Sequence, residues 1–513
     1  MTQSRWNSRL TADVLPNAAG VALASPLIVA AQPNPPATRT RLLSLNESIE
    51  MALSRNLDLQ IQRAYTDIAR FDLNGSYGVY SPLLSFSATH DFVSQPGDFD
   101  PKKPGSDAPY DLWTDTAGPS LIGKLPTGLS YDINAEAGRK DARTELAAGI
   151  RRTNNFFAST GVTLRQHLLR DFWIDQDREL ILVRRKDIKI SEQALKFETM
   201  KTVLAVELAY YDLAAAREQV RVQEKALELR KQFVTETRRR VEVGDLPPLD
   251  SDQAETQLEN TLTALSVARE ALATRQNAFK VLITDSFMQW VDVEPLPSDS
   301  LSTMKEEVNR SESFRRALIG RPDLIQARVA VERSDVTVRF RKNQLFPSLD
   351  LLGRYGSFEI EGGADSAISQ AARFHDPDYS YGVVISFPLD NIRERNDYRA
   401  SRANRWIAEL QLKKAEQEVL LQVADFVNRV ELRFSQVEST RKARTYAEAA
   451  LAAEEKKLQN GLSTTFVVLQ LQETLTAART AEVAALVDYN RALAQLAFAE
   501  GSTLEKHRMK VEP

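Results

Sequence analysis

The sequence of 513 residues contains no cysteine. Disulfide bonds, thiolate metal sites, thiol nucleophiles and a lipid-bearing cysteine are therefore excluded for this sequence. An excess of charge of one sign is also missing, because 66 basic side chains are balanced by 70 acidic ones and the net charge is −4. A nucleic-acid-binding protein would show a basic excess, so no nucleic acid is expected among the partners.

Long hydrophobic runs are scarce as well. The mean hydropathy is −0.34, which excludes a polytopic helical membrane protein. The few histidines, His90, His167, His375 and His507, are scattered without the spacing of metal ligands. No phosphate-binding glycine loop and no G-x-S-x-G motif occurs. The sequence therefore predicts neither an enzyme nor a bound cofactor.

The amino terminus resembles an export signal. Arg5 and Arg9 precede an uncharged stretch whose apolar part, residues 18–31, is about fourteen residues long. That length is too short to cross a bilayer but typical of a signal-peptide core, and small residues at 29–31 offer a cleavage site. Residues 1–31 are therefore predicted to be a signal peptide, with a disordered leader as the alternative.

The chain contains an internal repeat. The segment Glu47–Leu59 resembles Glu312–Leu324, and the same offset aligns Arg63 with Arg328 without a gap. Such a repeat indicates two halves with the same order of elements. The predicted organisation is a first repeat at 32–284, a linker or equatorial region at 285–308, a second repeat at 309–500 and a tail at 501–513.

Each half has one long window without proline or glycine, at 173–243 and at 389–460. Both windows are rich in strong helix formers, and each predicts a helix of about 65–70 residues, or about 100 Å. Such a length indicates a coiled coil or bundle. Both helices end at a glycine turn, around Gly244 and Gly461, where Asp245 or Ser463 is expected to help start a returning helix of about 35 residues. Shorter helices are predicted at 46–79 and 311–345.

After Pro82 the period of the pattern changes from helical to alternating. Apolar residues at every second position between Leu84 and Phe92 have the length and alternation of a transmembrane barrel strand. Alternation this short also occurs in soluble sheets, so one strand alone decides nothing. An exposed loop is predicted at 359–378. Further strands are predicted at 116–125, 128–138, 154–164, 349–355 and 381–389.

These features together resemble the TolC-type outer-membrane efflux protein family, and the resemblance covers about residues 43–500. No single motif is specific, but the duplicated series with matching spacing is. The segments that carry the resemblance are LNESI at 45–49, NLDL at 56–59, PLL at 82–84, QHLLRDF at 166–172, RPDL at 321–324, PSL at 347–349 and GVVISFPL at 382–389.

The resemblance implies a mainly α protein with a membrane β-barrel portion. In that family, the long helical hairpins of a homotrimer form one α-barrel that is continuous with a shared outer-membrane β-barrel. Open sheet edges cannot lie in lipid, so strands that insert there require closure by oligomerisation. The first half carries more strands than the simple pattern of two per half. These extra strands are either an enlarged extracellular feature or additional barrel wall.

The implied function is an exit duct of a tripartite efflux or type I secretion system. Such a duct passively conducts substrates from the periplasm to the exterior, and it works with a periplasmic adaptor and an inner-membrane pump. The implied location is the outer membrane, in contact with its lipid, with a large periplasmic extension. The alternative is a soluble or periplasmic coiled-coil scaffold that binds partners and forms no pore.

The resemblance also implies two sites at the hairpin tips. Residues at the turns dock the adaptor in the family, and residues just after the turns narrow the pore with acidic side chains. Capping residues and a first-turn carboxylate are the simpler alternatives. The matching docking positions are Val243, Gly244, Asp245, Leu246, Asn460, Gly461, Leu462 and Ser463. The candidate pore positions are Asp250, Gln253, Val467 and Gln470, of which only Asp250 is acidic.

Overall fold

The computed structural model describes residues 39–95, 110–146, 149–244, 246–299, 301 and 303–509. The predicted signal peptide at 1–31 and the tip residue Asp245 lie outside the described residues. The helices are α1 (Leu45–Arg55), α2 (Leu57–Ser76), α3 (Gln176–Glu242), α4 (Pro248–Ile283), α5 (Arg310–Gly320), α6 (Pro322–Asn343), α7 (Ala364–Ala372), α8 (Ile392–Gln459), α9 (Thr465–Glu500) and α10 (Thr503–Lys506). The strands are β1 (Arg39–Leu43), β2 (Leu83–Gln95), β3 (Tyr110–Lys124), β4 (Leu129–Leu146), β5 (Gly149–His167), β6 (Val293–Pro297), β7 (Ser348–Glu361) and β8 (Pro377–Ser386).

Two long helical hairpins dominate the fold. Helices α3 and α4 form the first, with 67 and 36 residues, and α8 and α9 form the second, with 68 and 36 residues. The predicted lengths are confirmed, because an uninterrupted run of helix formers leaves no residue at which the backbone would leave the helix. Within the described residues, none of the helices is long and apolar enough to cross a membrane.

The second hairpin is held together by a stripe of valines. These side chains recur at helical spacing along α8 and are fully buried against α9, where small alanines let the two helices approach closely. The two hairpins lie side by side through α3 and α9. There Asp212 forms ion pairs with Arg275 of α4, at 3.2 Å, and with Arg491 of α9. The buried valines are Val419, Val423, Val427, Val430 and Val437.

Each of the two predicted shorter helices is broken into two. In the first half, Asn56 adopts an extended conformation, and its side chain accepts hydrogen bonds from the amides of Asp58 and Leu59. In the second half, Pro322 supplies the first residue of α6 and pushes Arg321 out of the helical region. The prediction of one continuous helix in each half is therefore wrong at these two positions.

Equivalent contacts close both breaks. Arg63 donates to the carbonyl of Leu53 at 3.1 Å, and Arg328 donates to the carbonyl of Leu318 at 2.7 Å. In each case the arginine lies on the second helix of the pair and the acceptor lies ten residues earlier on the first. The two halves of the chain thus use the same side-chain contact to join the two helices of each pair.

Six strands of the described chain form one antiparallel sheet in the order β2-β3-β4-β5-β7-β8. The strands predicted from alternation are present, and most extend beyond the predicted bounds. The predicted loop at 359–378 is wrong in part, because its alanine-rich segment forms α7. This helix packs on β5, where Ala158 contacts Ala367 and Ala371.

A small unpredicted sheet joins the start of the first repeat to the region between the repeats. Strand β1 pairs in parallel with β6. This pair covers a buried cluster that includes Leu43, Tyr210, Phe279 and Trp290, where α1, α3 and α4 meet. The cluster lies about midway along α3 and packs β1 and α1 against the first hairpin.

Candidate functional site

The first hairpin tip is a glycine-centred turn. Val243 ends α3, and the amide of Gly244 donates to the carbonyl of Val241 at 3.1 Å. Gly244 has a φ of +77°, which a residue with a Cβ adopts only at a cost. Leu246 is half-buried, and Pro247 and Pro248 begin α4, where a missing amide hydrogen costs nothing.

The second tip is a complete Schellman turn. Gly461, with a φ of +72°, follows the last helical residues. Its amide donates to the carbonyl of Leu458 at 3.1 Å, and the amide of Leu462 donates to the carbonyl of Lys457 at 2.9 Å. An added Cβ would meet no atom within 4 Å at Gly244 or at Gly461. A side chain added at either glycine would therefore project into open space at the end of the hairpin.

Ser463 does not have the expected capping role. Thr464 occupies the position before α9 and makes no side-chain cap, while the Ser463 hydroxyl donates to Oε1 of Glu454 at 2.6 Å. Lys457 also contacts Glu454, at 2.9 Å. The hydrogen bond from Ser463 has the larger effect and that from Lys457 the smaller, and together they hold the pKa of Glu454 below its usual value. The contact ties the turn back to α8 instead of starting α9.

Exposed apolar side chains surround both turns. Val243 and Leu462, at the turns themselves, are 75% and 77% exposed. Leu249 and Phe466, in the first turns of the returning helices, are also exposed. Large apolar side chains grouped at a surface point indicate contact with another protein more often than isolated ones do.

The structure brings together some of the candidate pore residues. A groove of 510 Å³ between α4 and α9 is lined by Gln253 and Gln470, but Asp250 and Val467 are absent from its lining. Two carboxylates that the sequence positions did not single out, Asp252 and Glu473, line it instead. No sequence signal identifies Glu473, because it shares a groove with Asp252 only through the packing of two helices from different halves.

Arginines of α3 connect the two hairpins near the tips. Arg230 is 6% exposed, and its Nη2 donates to the carbonyl of Leu469 at 3.3 Å. Burial lowers the pKa of Arg230, and the nearby carboxylate of Glu473 opposes that shift. Nearer the tip, Arg240 donates to the carbonyl of Leu458 at 3.5 Å. Arg238 instead pairs with Glu255 inside the first hairpin, at 2.8 Å.

This architecture defines a class of protein. An antiparallel sheet with free edges continues into two hairpins about 100 Å long that end in exposed turns, as in the protomer of an elongated channel. Residues 314–502 match the family model described as outer membrane efflux protein. Outer membrane efflux protein BepC of Brucella suis biovar 1 (strain 1330) is 24% identical over 333 residues, which are 64% of this chain and 68% of the relative.

Solved structures share the fold over nearly the whole chain. A crystal structure of CusC aligns with a TM-score of 0.66 and 16% identity, covering 92% of this chain and 95% of that one. The open-state outer membrane channel MtrE of Neisseria gonorrhoeae aligns with a TM-score of 0.61 and 16% identity, covering 90% and 89%. The predicted TolC-type fold is confirmed. Sequence similarity to outer-membrane efflux proteins covers residues 314–502 in the family model and 333 residues in the alignment with BepC.

Proposed function

We propose that this chain forms a homotrimeric exit duct that passively conducts substrates from the periplasm to the exterior. A periplasmic adaptor and an inner-membrane pump would supply the coupling to energy. The observation that carries the proposal is the continuity of one sheet with two hairpins of nearly equal length in a single chain. A scaffold without a pore would have no use for a sheet whose free edges need another chain.

The adaptor would dock at the hairpin tips. The exposed apolar residues Val243 and Leu462 and the open space beside Gly244 and Gly461 support this assignment. A bulky side chain at either glycine would project outward and obstruct a partner, while the strain of a positive φ would cost the hairpin only about 1–2 kcal/mol.

Gly461→Trp and Gly244→Trp should therefore abolish export, while trimer formation and outer-membrane insertion continue. The matched controls are Gly461→Ala and Gly244→Ala, which carry the same backbone strain without the bulk and should export. The assay is substrate export from cells that also express the adaptor and pump. Normal export by both tryptophan variants would show that the tips do not dock a partner.

Opening would require the hairpins to separate near the tips. The contacts of Arg230 with Leu469 and of Arg240 with Leu458 hold α3 against the second hairpin. The acceptors of both hydrogen bonds are backbone carbonyls. Breaking these two bonds therefore leaves no acidic acceptor without its ion-pair partner. We infer that adaptor binding shifts the balance between a closed and an open arrangement of these helices.

The pore mouth would be lined by the groove between α4 and α9. Threefold repetition of Asp252 and Glu473 would concentrate negative potential there and favour cations. Gln253 and Gln470 would add neutral hydrogen-bonding groups, with Asp250 and Val467 at the periphery. Asp252→Asn with Glu473→Gln should reduce cation selectivity, measured as a reversal potential, whereas Asp250→Asn should change it less. Equal effects of both changes would contradict this placement.

A further inference from the structure

Strands β3 and β4 form a hairpin inserted into the first half. Its side chains follow the same apolar and polar faces as those of the neighbouring strands. One row of directly paired residues crosses all six strands and is apolar or aromatic throughout. The next row along is polar or glycine throughout. The apolar row is Leu84, Leu121, Ile133, Val162, Tyr355 and Tyr379. The polar row is Ser85, Ser120, Asn134, Gly161, Gly356 and Asp378.

The inserted hairpin also spans the full height of the sheet. Its turn, at 125–128, lies at the edge where the long helices begin. There Nζ of Lys124 contacts Asp175 at 2.8 Å and Asp177 at 2.5 Å, and Asp175 caps the amino end of α3. With 15 and 18 residues, β3 and β4 are long enough to cross a bilayer, which takes about 9–11 residues per tilted strand.

We propose that this hairpin is membrane-crossing barrel wall, so that each protomer contributes six strands and three protomers close an eighteen-stranded barrel. The proposal rests on the trimeric channel inferred above. Its apolar row would contact lipid hydrocarbon and its polar row the aqueous lumen.

The free edges of the described sheet fit this closure. Strand β2 leads away from the helices and β8 leads back to them, so β8 of one copy and β2 of the next are antiparallel. Three sheets of six strands give an even strand number with every neighbour antiparallel, which is the pattern of closed membrane barrels. The partner for each edge is therefore a second copy of this chain.

The widths of the two barrels support six strands in each protomer. Four helices of each protomer, α2, α3, α6 and α8, connect directly to the sheet. At 8–10 Å between axes, they occupy an arc of about 36 Å. Six strands spaced about 4.8 Å and tilted about 40° occupy about 38 Å, whereas four strands would occupy only about 25 Å. Eighteen strands therefore continue the helical ring without narrowing and leave an aqueous channel.

Single cysteines test the crossing directly, because the chain has none of its own. Two variants are compared: Arg151→Cys, at the end of β5 far from the helices, and Thr127→Cys, in the β3–β4 turn. Both are treated with a polyethylene glycol maleimide of about 5 kDa, which is too large to cross the outer membrane. In intact cells, Arg151→Cys should react and Thr127→Cys should not; both should react after permeabilisation. Reaction of Thr127→Cys in intact cells would mean an extracellular flap and would overturn the proposal.

Two neighbouring positions of β4 test whether the hairpin is wall. In purified trimers reconstituted into vesicles, a small charged maleimide should label Asn134→Cys at least about tenfold faster than Ile133→Cys, because these side chains lie on opposite faces. Equal rates would indicate a hairpin inside the lumen and would contradict the proposal. Projection images of the trimer should show a ring about 36 Å across, and one of about 24 Å would indicate twelve strands.

These outcomes separate the inference from the function on which it rests. If the chain were not an outer-membrane channel, Arg151→Cys would fail to react in intact cells. If the channel is correct but the hairpin is not wall, Arg151→Cys reacts and either Thr127→Cys reacts with it or the two β4 positions react alike.

Discussion

Arg230 of α3, almost fully buried, donates a hydrogen bond to the backbone carbonyl of Leu469 on α9, 239 residues later in the chain. This contact joins the two hairpins just above their tips. Burying a guanidinium costs desolvation free energy, so this contact is a poor source of stability. Its position between the hairpins is better explained by a role in the change between closed and open tips.

Removing this contact should loosen the closed tip. Arg230→Ala is expected to raise the single-channel conductance, or the time spent open, in planar bilayers without any adaptor. Arg238→Ala is the matched control, because Arg238 is also near the tip but pairs with Glu255 in its own hairpin. If the two variants conduct alike, Arg230 does not restrain the opening.

The amino end of α3 should be sensitive to acid through Asp175. Burial opposes ionisation of this carboxylate, but hydrogen bonds from Lys124 and Arg178 outweigh it and hold the pKa of Asp175 below its usual value. Since the pKa is lower in the folded state, the carboxylate stabilises the fold at neutral pH. That contribution is lost as the pH falls through the folded-state value.

Asp175→Asn keeps a helix-capping acceptor but removes the charge. Its apparent melting temperature should be below that of the wild type at neutral pH, and the difference should vanish as the pH falls through the lowered folded-state pKa of Asp175. Asp177→Asn, which removes the more exposed carboxylate contacted by Lys124, should have a smaller effect. A constant difference at all pH values would exclude the charge as the cause.

The carboxyl-terminal residues should stabilise the middle of the molecule through Glu207. This carboxylate is fully buried and contacts Nε2 of His507 at 2.9 Å and Nζ of Lys506 at 3.4 Å. His507→Ala should lower the free energy of unfolding by about 1–3 kcal/mol, because it removes a hydrogen bond to a buried carboxylate that then keeps only Lys506 as a partner. Glu207→Gln combined with His507→Ala should recover part of the loss, and strictly additive effects would contradict a direct interaction.

The valine stripe gives a test of the second hairpin. Val423→Ala removes two buried methyl groups from the interface of α8 with α9 and should lower the free energy of unfolding by about 1.5–3 kcal/mol. Leu421→Ala, two residues away on the exposed side of the same helix, should cost less than about 1 kcal/mol. Denaturant unfolding of the purified protein measures both, and a larger loss at Leu421 would contradict the packing described.

The sequence predicted the long helices well because proline and glycine, the residues that end helices, are absent over both windows. It predicted the strands because alternation is a local signal. It missed the break at Asn56, where one amide side chain caps a new helix in an otherwise helical pattern. It also missed Asp252 and Glu473 as groove residues, because their proximity depends on the packing of helices distant in the chain.

The most direct test of the channel itself is the conductance of the purified protein in planar bilayers. We predict that a homotrimer recovered from the outer-membrane fraction gives discrete conductance steps. Those steps should grow in Arg230→Ala and lose cation selectivity when Asp252 and Glu473 are neutralised. Recovery of a soluble monomer that gives no conductance steps, in the wild type and in Arg230→Ala alike, would contradict the exit-duct account.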